Sequence, residues 1–272
     1  MRLTTSHLDS AVLYDRLFQS IQSRIADEDT FAVLTITEGP VGVGSSAITA
    51  LDGQTEGALS FPNWLELTRE HVRELLESNR SDSRTIVAGD GTYTVFIACY
   101  VPLPRLIIIG ATQTAQSLTR LSKELGFRVI VSDARATFAT KERFPEADEV
   151  IKGWPQDVLP TLKMDEATYI VLLSHDPKFD EPTLDYVLKR PVRYIGAIGS
   201  KRTQQSRREK MRAQGFTEEQ MNRVHGPVGL DLGGKAAEEV ALSILAEMVA
   251  VRNGRGLNDE PMRGRSVRTS DS

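Results

Sequence analysis

The sequence predicts an α/β protein in two parts, a helix-flanked parallel sheet in the C-terminal half preceded by a smaller α+β unit. Three observations lead there. Beyond Arg105, short apolar runs alternate with amphipathic helical segments, the grammar of a parallel sheet covered on both faces. Before it, β-rich runs meet at Asp52-Gly53 and Asp90-Gly91, turn signals of antiparallel hairpins. Between the two, "VPLPR" places Pro102 and Pro104 where neither ladder nor helix extends.

Taken in order, Val12, Leu13, Leu17, Ile21 and Ile25 form a helical stripe, and "TFAVLTITEG" and "SSAITALDGQ" read as strands. Trp64 to Leu76 returns to helical spacing with Glu66, Arg69, Glu70, Arg73 and Glu74 on its wet side. "RTIVAGDGTYTVFIACY" is a hairpin around Asp90-Gly91. Parallel strands are expected at Leu106–Ile109, Arg128–Ser132, Tyr169–Leu173 and Arg193–Ile198. Helices are expected at Gln113–Leu125, Gln156–Leu162, Thr183–Lys189 and Lys201–Ala213. "KAAEEVALSILAEMVAVRNGR" is a final helix with Val240, Ile244, Leu245, Met248 and Val249 on its apolar side and Gly254 as its stop. Residues 255–272 carry no periodicity and are expected to be disordered.

Composition narrows the function class. The chain has 272 residues, 40% hydrophobic and 26% charged, with net charge −4, which gives no reason to expect nucleic acid or an anionic membrane surface as partner. No apolar run approaches the ~20 residues of a membrane span, and the N-terminus lacks a signal peptide's apolar core. Cys99 is the single cysteine, so no internal disulfide and no multi-thiolate metal site is possible. A cytosolic, soluble protein is expected.

Two strand-to-helix turns carry the candidate chemistry. "IIIGATQTAQ" has the outline of a dinucleotide-binding turn but supplies only Gly110, with Thr112 and Ala115 in the other two glycine places. Thr112 puts a branched side chain where backbone should meet a pyrophosphate. Asp133, some 20 residues on, stands where a carboxylate binds ribose hydroxyls, and Arg135 where a guanidinium meets a 2′-phosphate. Both readings of this turn, phosphate cradle and ligand-free βαβ unit, stay open. "YIGAIGSKRT" is the stronger anion site: Gly196 and Gly199 lead into Ser200, Lys201 and Arg202 at a helix start. Two cations there oppose the helix dipole, a cost that an anionic ligand offsets. "LLSHDPKFD" adds Ser174, His175 and Asp176 after the third strand, with His175 as acid/base or hydrogen-bond donor. "VHGPVGLDLGGK" adds His225 and Asp231 in a loop with four glycines. Packing is the simpler role for His225, and capping of the next helix the simpler one for the "SHD" run. Histidines in separate loops do not make a metal site.

From Arg105 to Arg255, the segments "RLIIIGATQTAQSLTRLSKELGFRVIVSDAR", "YIVLLSHDPKFDEPTLDYVL", "YIGAIGSKRT" and "RVHGPVGLDLGGKAAEEVALSILAEMVAVRNGR" together resemble the XdhC/CoxI family. These are accessory proteins of molybdenum hydroxylases such as xanthine dehydrogenase and carbon monoxide dehydrogenase. The resemblance implies a Rossmann-like C-terminal domain over 105–254, an N-terminal α+β domain over 1–101, and a homodimer. It also implies a chaperone that binds molybdenum cofactor (molybdopterin), supports its sulfuration and passes it to the apoenzyme. The chain departs from the family at Gly110-Ala111-Thr112-Gln113-Thr114-Ala115, where Gly-Ala-Gly-His-Val-Ala is usual, and at Ala236-Ala237, where Thr-Pro is common. In "SFPNWLE" the family's Gly-Gly-Cys is missing and Glu66 alone survives. Sulfur is the soft ligand suited to molybdenum, so that loss bears on cofactor chemistry. The leading expectation is an accessory protein taking a phosphorylated ligand on Gly199, Ser200, Lys201 and Arg202, with His175 and Asp231 orienting it. The alternatives are an NAD(P)-dependent oxidoreductase using Gly110, Asp133 and Arg135, and a diverged partner-binding protein without cofactor chemistry.

Overall fold

The structure, a computed structural model, describes residues 5–89, 91–174 and 176–255, with side chains of the first helix described from Asp15 onward. Asp90, His175 and nearly all of the tail expected to be disordered lie outside the described residues. The chain divides into two compact units, Met1–Pro102 and Leu103–Ser272.

In the first unit, α1 (Thr5–Ala26) and α2 (Trp64–Glu77) accompany an antiparallel sheet of β1 (Phe31–Glu38), β2 (Ser46–Thr49), β3 (Thr55–Gly57), β4 (Asp82–Ala88) and β5 (Gly91–Tyr100). The sheet order is β3-β2-β1-β5-β4. Strand periodicity sorts the side chains. Ala32, Leu34 and Ile36 of β1 join Tyr93, Val95 and Ile97 of β5 against Val72, Leu75 and Leu76 of α2. Phe31 and Val33 face the other way, onto Leu17 and Ile21 of α1. Both hairpins expected at Asp52-Gly53 and Asp90-Gly91 form: β2 pairs β3, and β4 pairs β5 from Ala88↔Gly91 inward.

The second unit is a six-stranded, wholly parallel sheet of β6 (Arg105–Ile109), β7 (Arg128–Asp133), β8 (Glu149–Lys152), β9 (Thr168–Leu172), β10 (Tyr194–Ala197) and β11 (Val224–His225). Its order is β11-β10-β9-β6-β7-β8. Numbered from β6, and read from β8 across, this is the 3-2-1-4-5-6 order of the Rossmann fold, in which the chain leaves the first strand in one direction and returns to its other side. The helices are α3 (Gln113–Glu124), α4 (Pro155–Val158), α5 (Pro177–Val187), α6 (Lys201–Ala213), α7 (Glu218–Asn222) and α8 (Ala237–Arg252). Alternate residues of β6 build two cores: Leu106 and Ile108 pack with Leu118 of α3 and Ile244 and Met248 of α8. Ile107 and Ile109 pack with Phe179, Leu184 and Val187 of α5 and Met211 of α6.

The expected α/β class is the observed one, with boundary corrections. Edge strands β8 and β11 escape sequence reading because three half-buried residues and an exposed one, and a strand of two residues, carry almost no hydrophobic period. Helix α5 begins at Pro177, six residues before the expected Thr183. Pro182 reads as a breaker, yet it sits inside the helix, while Asp176 caps the start through the Lys178 N–H. The expected Gln156–Leu162 helix is one α-turn followed by a 3-10 turn at Leu159–Thr161.

Candidate functional site

In a parallel sheet every strand's carboxyl end opens on the same edge, and ligands bind there near the point where strand order reverses. The carboxyl ends of β6, β7, β9, β10 and β11 and the loops after them lie on that edge and carry Gly110 and Thr112, Asp133 and Arg135, Ser174, the Gly196–Arg202 segment, and Asp231. Topology therefore gathers the described candidate residues to one side of the sheet. His175, expected to act as acid/base, lies outside the described residues.

The turn after β6 is closed on itself. Gly110 takes φ +106, and a Cβ there would stand 2.8 Å from the Ser174 nitrogen and 3.1 Å from the Leu173 carbonyl carbon. The glycine thus allows the β6 and β9 loops to touch at the strand-order reversal. Thr112 is the N-cap of α3, its Oγ1 accepting the Ala115 N–H at 3.2 Å. The hydroxyl so takes up one of the N–H groups that a pyrophosphate would use.

Asp133 is fully buried, and both carboxylate oxygens are engaged. Oδ2 accepts the Ala111 N–H at 2.8 Å and Arg135 Nη2 at 2.8 Å. Oδ1 accepts the Arg135 N–H at 2.9 Å and Nε at 3.0 Å. Those donors fill the lone-pair sites of a carboxylate, leaving none for ribose hydroxyls. Burial pushes the Asp133 pKa up, but the Arg135 and Ala111 donors outweigh it and hold the carboxyl below its usual range. Arg135 then stacks on Phe138, guanidinium to ring centroid 4.5 Å.

The turn after β10 is built differently. Gly196 is buried in the strand against Val228 and Tyr194, and Gly199 takes φ +138 with its absent Cβ 2.9 Å from Thr203 Cγ2. Ser200 caps α6, its Oγ accepting the Thr203 N–H at 3.2 Å and sharing a hydrogen bond with Thr203 Oγ1 at 2.9 Å. Lys201 and Arg202 follow, exposed, with no hydrogen bond or ion pair among the described residues. Two uncompensated cations at the positive end of a helix dipole make the site attractive to an anion.

Sequence reasoning missed what braces this turn. Gln204 Nε2 donates to the Ala197 carbonyl at 3.0 Å, and Arg207 Nη2 donates to that of Ile198 at 3.2 Å. Arg207 also pairs with Asp180 of α5, both side chains almost fully buried, and donates to Gln204 Oε1. In "KRTQQSRREK" Arg207 reads as one more solvated cation. The signal was its spacing, since Gln204, Arg207 and Met211 form the buried stripe of α6.

A second buried group orders the 226–235 loop. Glu247 of α8 accepts Tyr194 Oη, the Gly229 N–H at 2.9 Å and His225 Nδ1 at 3.3 Å. Burial would raise the Glu247 pKa, but the His225, Tyr194 and Gly229 donors together hold it low; burial and the Glu247 charge push the Tyr194 phenol well up. His225 thus has a structural partner, in keeping with the packing role expected for it. Asp231 is exposed, and its carboxylate accepts the Gly233 N–H of its own loop at 3.2 Å. No hydrogen bond or ion pair among the described residues joins the Gly110 turn to the Gly199 turn.

The family description "XdhC Rossmann domain" matches residues 106–248, more than half of the chain. The chain belongs to the XdhC family. It is 31% identical over 192 residues to a protein of Bacillus subtilis (strain 168) named as a probable xanthine dehydrogenase subunit, an alignment covering 71% of this chain and 54% of that one. It is 28% identical over 161 residues to the molybdenum cofactor insertion chaperone PaoD of Escherichia coli (strain K12), covering 56% and 50%. The chain spans about half the length of these two relatives. Among solved structures, a xanthine dehydrogenase of Bacillus halodurans superposes with TM-score 0.51 at 18% identity, covering 90% of this chain and 98% of that one, which is a likeness of fold. No helix among the described residues is long and apolar enough to cross a membrane, and no group of His, Cys, Asp and Glu among them is arranged to hold a metal ion.

Proposed function

We propose that this chain is an accessory protein of molybdenum-hydroxylase maturation that binds molybdenum cofactor, or a related phosphorylated ligand, as cargo and delivers it to the apoenzyme. The observation that carries the reading is the exposed, unpaired Lys201-Arg202 start of α6 on a braced turn, in a chain of the XdhC family. That one relative is named a molybdenum cofactor insertion chaperone supports the choice of cargo. Gly199 supplies close backbone approach, Ser200 a hydroxyl, and Lys201 and Arg202 charge-assisted bonds to phosphate oxygens. Asp231 and His175 orient the remainder of the ligand, and the accessory protein works as a homodimer in the cytoplasm.

The donors fit the phosphate of such a cargo, but they include no thiolate. Cys99, half-buried in β5, has its thiol pushed up to about 11 by burial and is a neutral thiol at pH 7. The proposal is therefore retention through phosphate, with no sulfur ligand from this chain. An NAD(P)-dependent oxidoreductase finds less support, because Asp133 already accepts four protein donors. Equilibrium titration with purified molybdenum cofactor tests the reading, with NAD(H) and NADP(H) as controls. Saturable cofactor binding that Lys201→Ala/Arg202→Ala weakens by roughly 2–3 kcal/mol supports it. Absence of binding, or binding indifferent to that double substitution, overturns it.

A further inference from the structure

The first unit contains a cleft that the proposed function does not use. It encloses 240 Å³ between the β2–β3 turn and α2, lined by Thr49, Leu51, Asp52, Leu65, Arg69 and Arg73 among others. Its floor is formed by buried Thr49, Thr68 and Val72, and the Thr68 hydroxyl is already committed to the Trp64 carbonyl at 2.8 Å. The floor therefore has little polar demand of its own. Leu51 stands on the rim at the hairpin tip, 56% exposed despite its size. The turn opposite α2 is fixed by its own bonds: Ala50 and Gln54 pair, the Gly53 N–H reaches the Ala50 carbonyl at 3.0 Å, and Asp52 Oδ1 accepts the Gln54 N–H at 2.9 Å.

Charge decides what suits this cleft. Arg69 and Arg73 lie one helical turn apart and line the same wall, an arrangement that disfavours the helix by like-charge repulsion. Arg73 is compensated by Glu70 at 2.9 Å. Arg69 has no hydrogen bond or ion pair among the described residues. Among the described residues, Asp52 is the one carboxylate lining the cleft, and one of its oxygens already accepts the Gln54 N–H. An unpaired guanidinium beside the exposed Leu51 and the half-buried Leu65 favours a molecule with an anionic head and an apolar body. The volume lies below the ~300 Å³ at which drug-sized ligand pockets begin, so the body must be small.

We propose that this cleft is a binding site for a small organic carboxylate, its head on Arg69 and its apolar body between Leu51 and Leu65. No residue of the Gly199–Arg202 turn takes part, so the site stands or falls independently of cargo binding.

Two-dimensional amide NMR of the full chain, titrated with benzoate, tests it. Benzoate should saturably shift the amides of Ala50–Gln54 and Leu65–Arg73 at millimolar concentration. Acetate, which lacks the apolar body, and benzyl alcohol, which lacks the charge, should each bind about tenfold more weakly. Arg69→Ala should weaken benzoate about tenfold, and Arg69→Lys should restore part of the loss. Because Arg69 is exposed, amides away from the cleft should keep their positions and report an intact fold. The proposal is overturned if benzoate leaves these amides unmoved, if Arg69→Ala binds it as tightly, or if benzyl alcohol binds equally well.

Discussion

Both the Gly110–Thr112 turn and the Gly199–Arg202 turn lead from a buried parallel strand into a helix capped by a hydroxyl, yet their charges are disposed in opposite ways. Behind the first, Asp133 and Arg135 neutralise each other, and the carboxylate's lone pairs are filled by Ala111 and Arg135. Behind the second, the buried pair Arg207–Asp180 braces the backbone from below and leaves Lys201 and Arg202 free above it. A glycine-bearing turn at a sheet's carboxyl edge is therefore not by itself a ligand site. What separates the two is whether the nearby charges are satisfied within the protein or left facing solvent.

Removing the brace is the most severe way to break the contrast. Arg207→Ala leaves Asp180 without its guanidinium partner and the Ile198 carbonyl without that donor. Breaking such a buried pair costs about 3–5 kcal/mol, read as a lowered denaturation midpoint in urea. If stability is unchanged, the second turn is not held from below and its preorganisation must be sought elsewhere.

Next in size is the exposed pair itself. Lys201→Ala/Arg202→Ala should leave stability within about 0.5 kcal/mol, since neither side chain has a partner to lose. Binding of a phosphorylated ligand should weaken by roughly 2–3 kcal/mol, and its dependence on salt should flatten. The double substitution therefore separates a ligand role from a structural one: the two cations should matter to titration and hardly at all to unfolding.

The contrast also explains how much the sequence could tell. The βαβ frame was legible because Ile107, Ile108 and Ile109 form an apolar run buried on both faces, and Gln113–Glu124 is capped and amphipathic. The cap at Ser200 and the start of α6 at Lys201 were legible for the same local reasons. Long-range partnerships were not. Nothing in "SRREK" says that Arg207 points inward to Asp180, or in "SDAR" that Arg135 turns back on Asp133. Glu247 looked like one charge in an apolar helix, although it is 1% exposed and gathers three donors from β10, β11 and the loop after it. Charge satisfaction is a tertiary property, and it is what distinguishes the two turns.

Asp133 sharpens the comparison from the first turn's side. Asp133→Asn keeps the shape but removes the charge and puts an N–H₂ among donors, at a cost of about 1–3 kcal/mol. The pH dependence has a definite sign. Because the folded pKa lies below the unfolded value of about 3.9, the charge stabilises the fold fully above that value, and the contribution is lost as pH falls through the folded pKa. Wild-type stability should therefore drop at acid pH, and this part of the drop should be missing in Asp133→Asn. Nucleotide binding should not change, because Asp133 has no lone pair to offer. A loss of binding in the Asn variant would return the first turn to the list of ligand sites.

The smallest expected effect is also the most discriminating. Thr112→Ala and Ser200→Ala each remove a helix cap worth about 1 kcal/mol, so in phosphate-free buffer the two variants should be destabilised alike. High inorganic phosphate should separate them. At the second turn, the Thr203 N–H freed by Ser200→Ala faces a position where Lys201 and Arg202 attract an anion, and a bound phosphate oxygen can replace the lost acceptor. Part of the cost should then be recovered. At the first turn, the freed Ala115 N–H has no unsatisfied cation beside it, since Arg135 is committed to Asp133, and phosphate should recover nothing beyond its effect on the wild type. Thermal denaturation of both variants with and without phosphate reads this difference directly. Equal recovery in both would mean that any uncapped helix start on this edge takes an anion, and that the charges around the two turns do not decide between them.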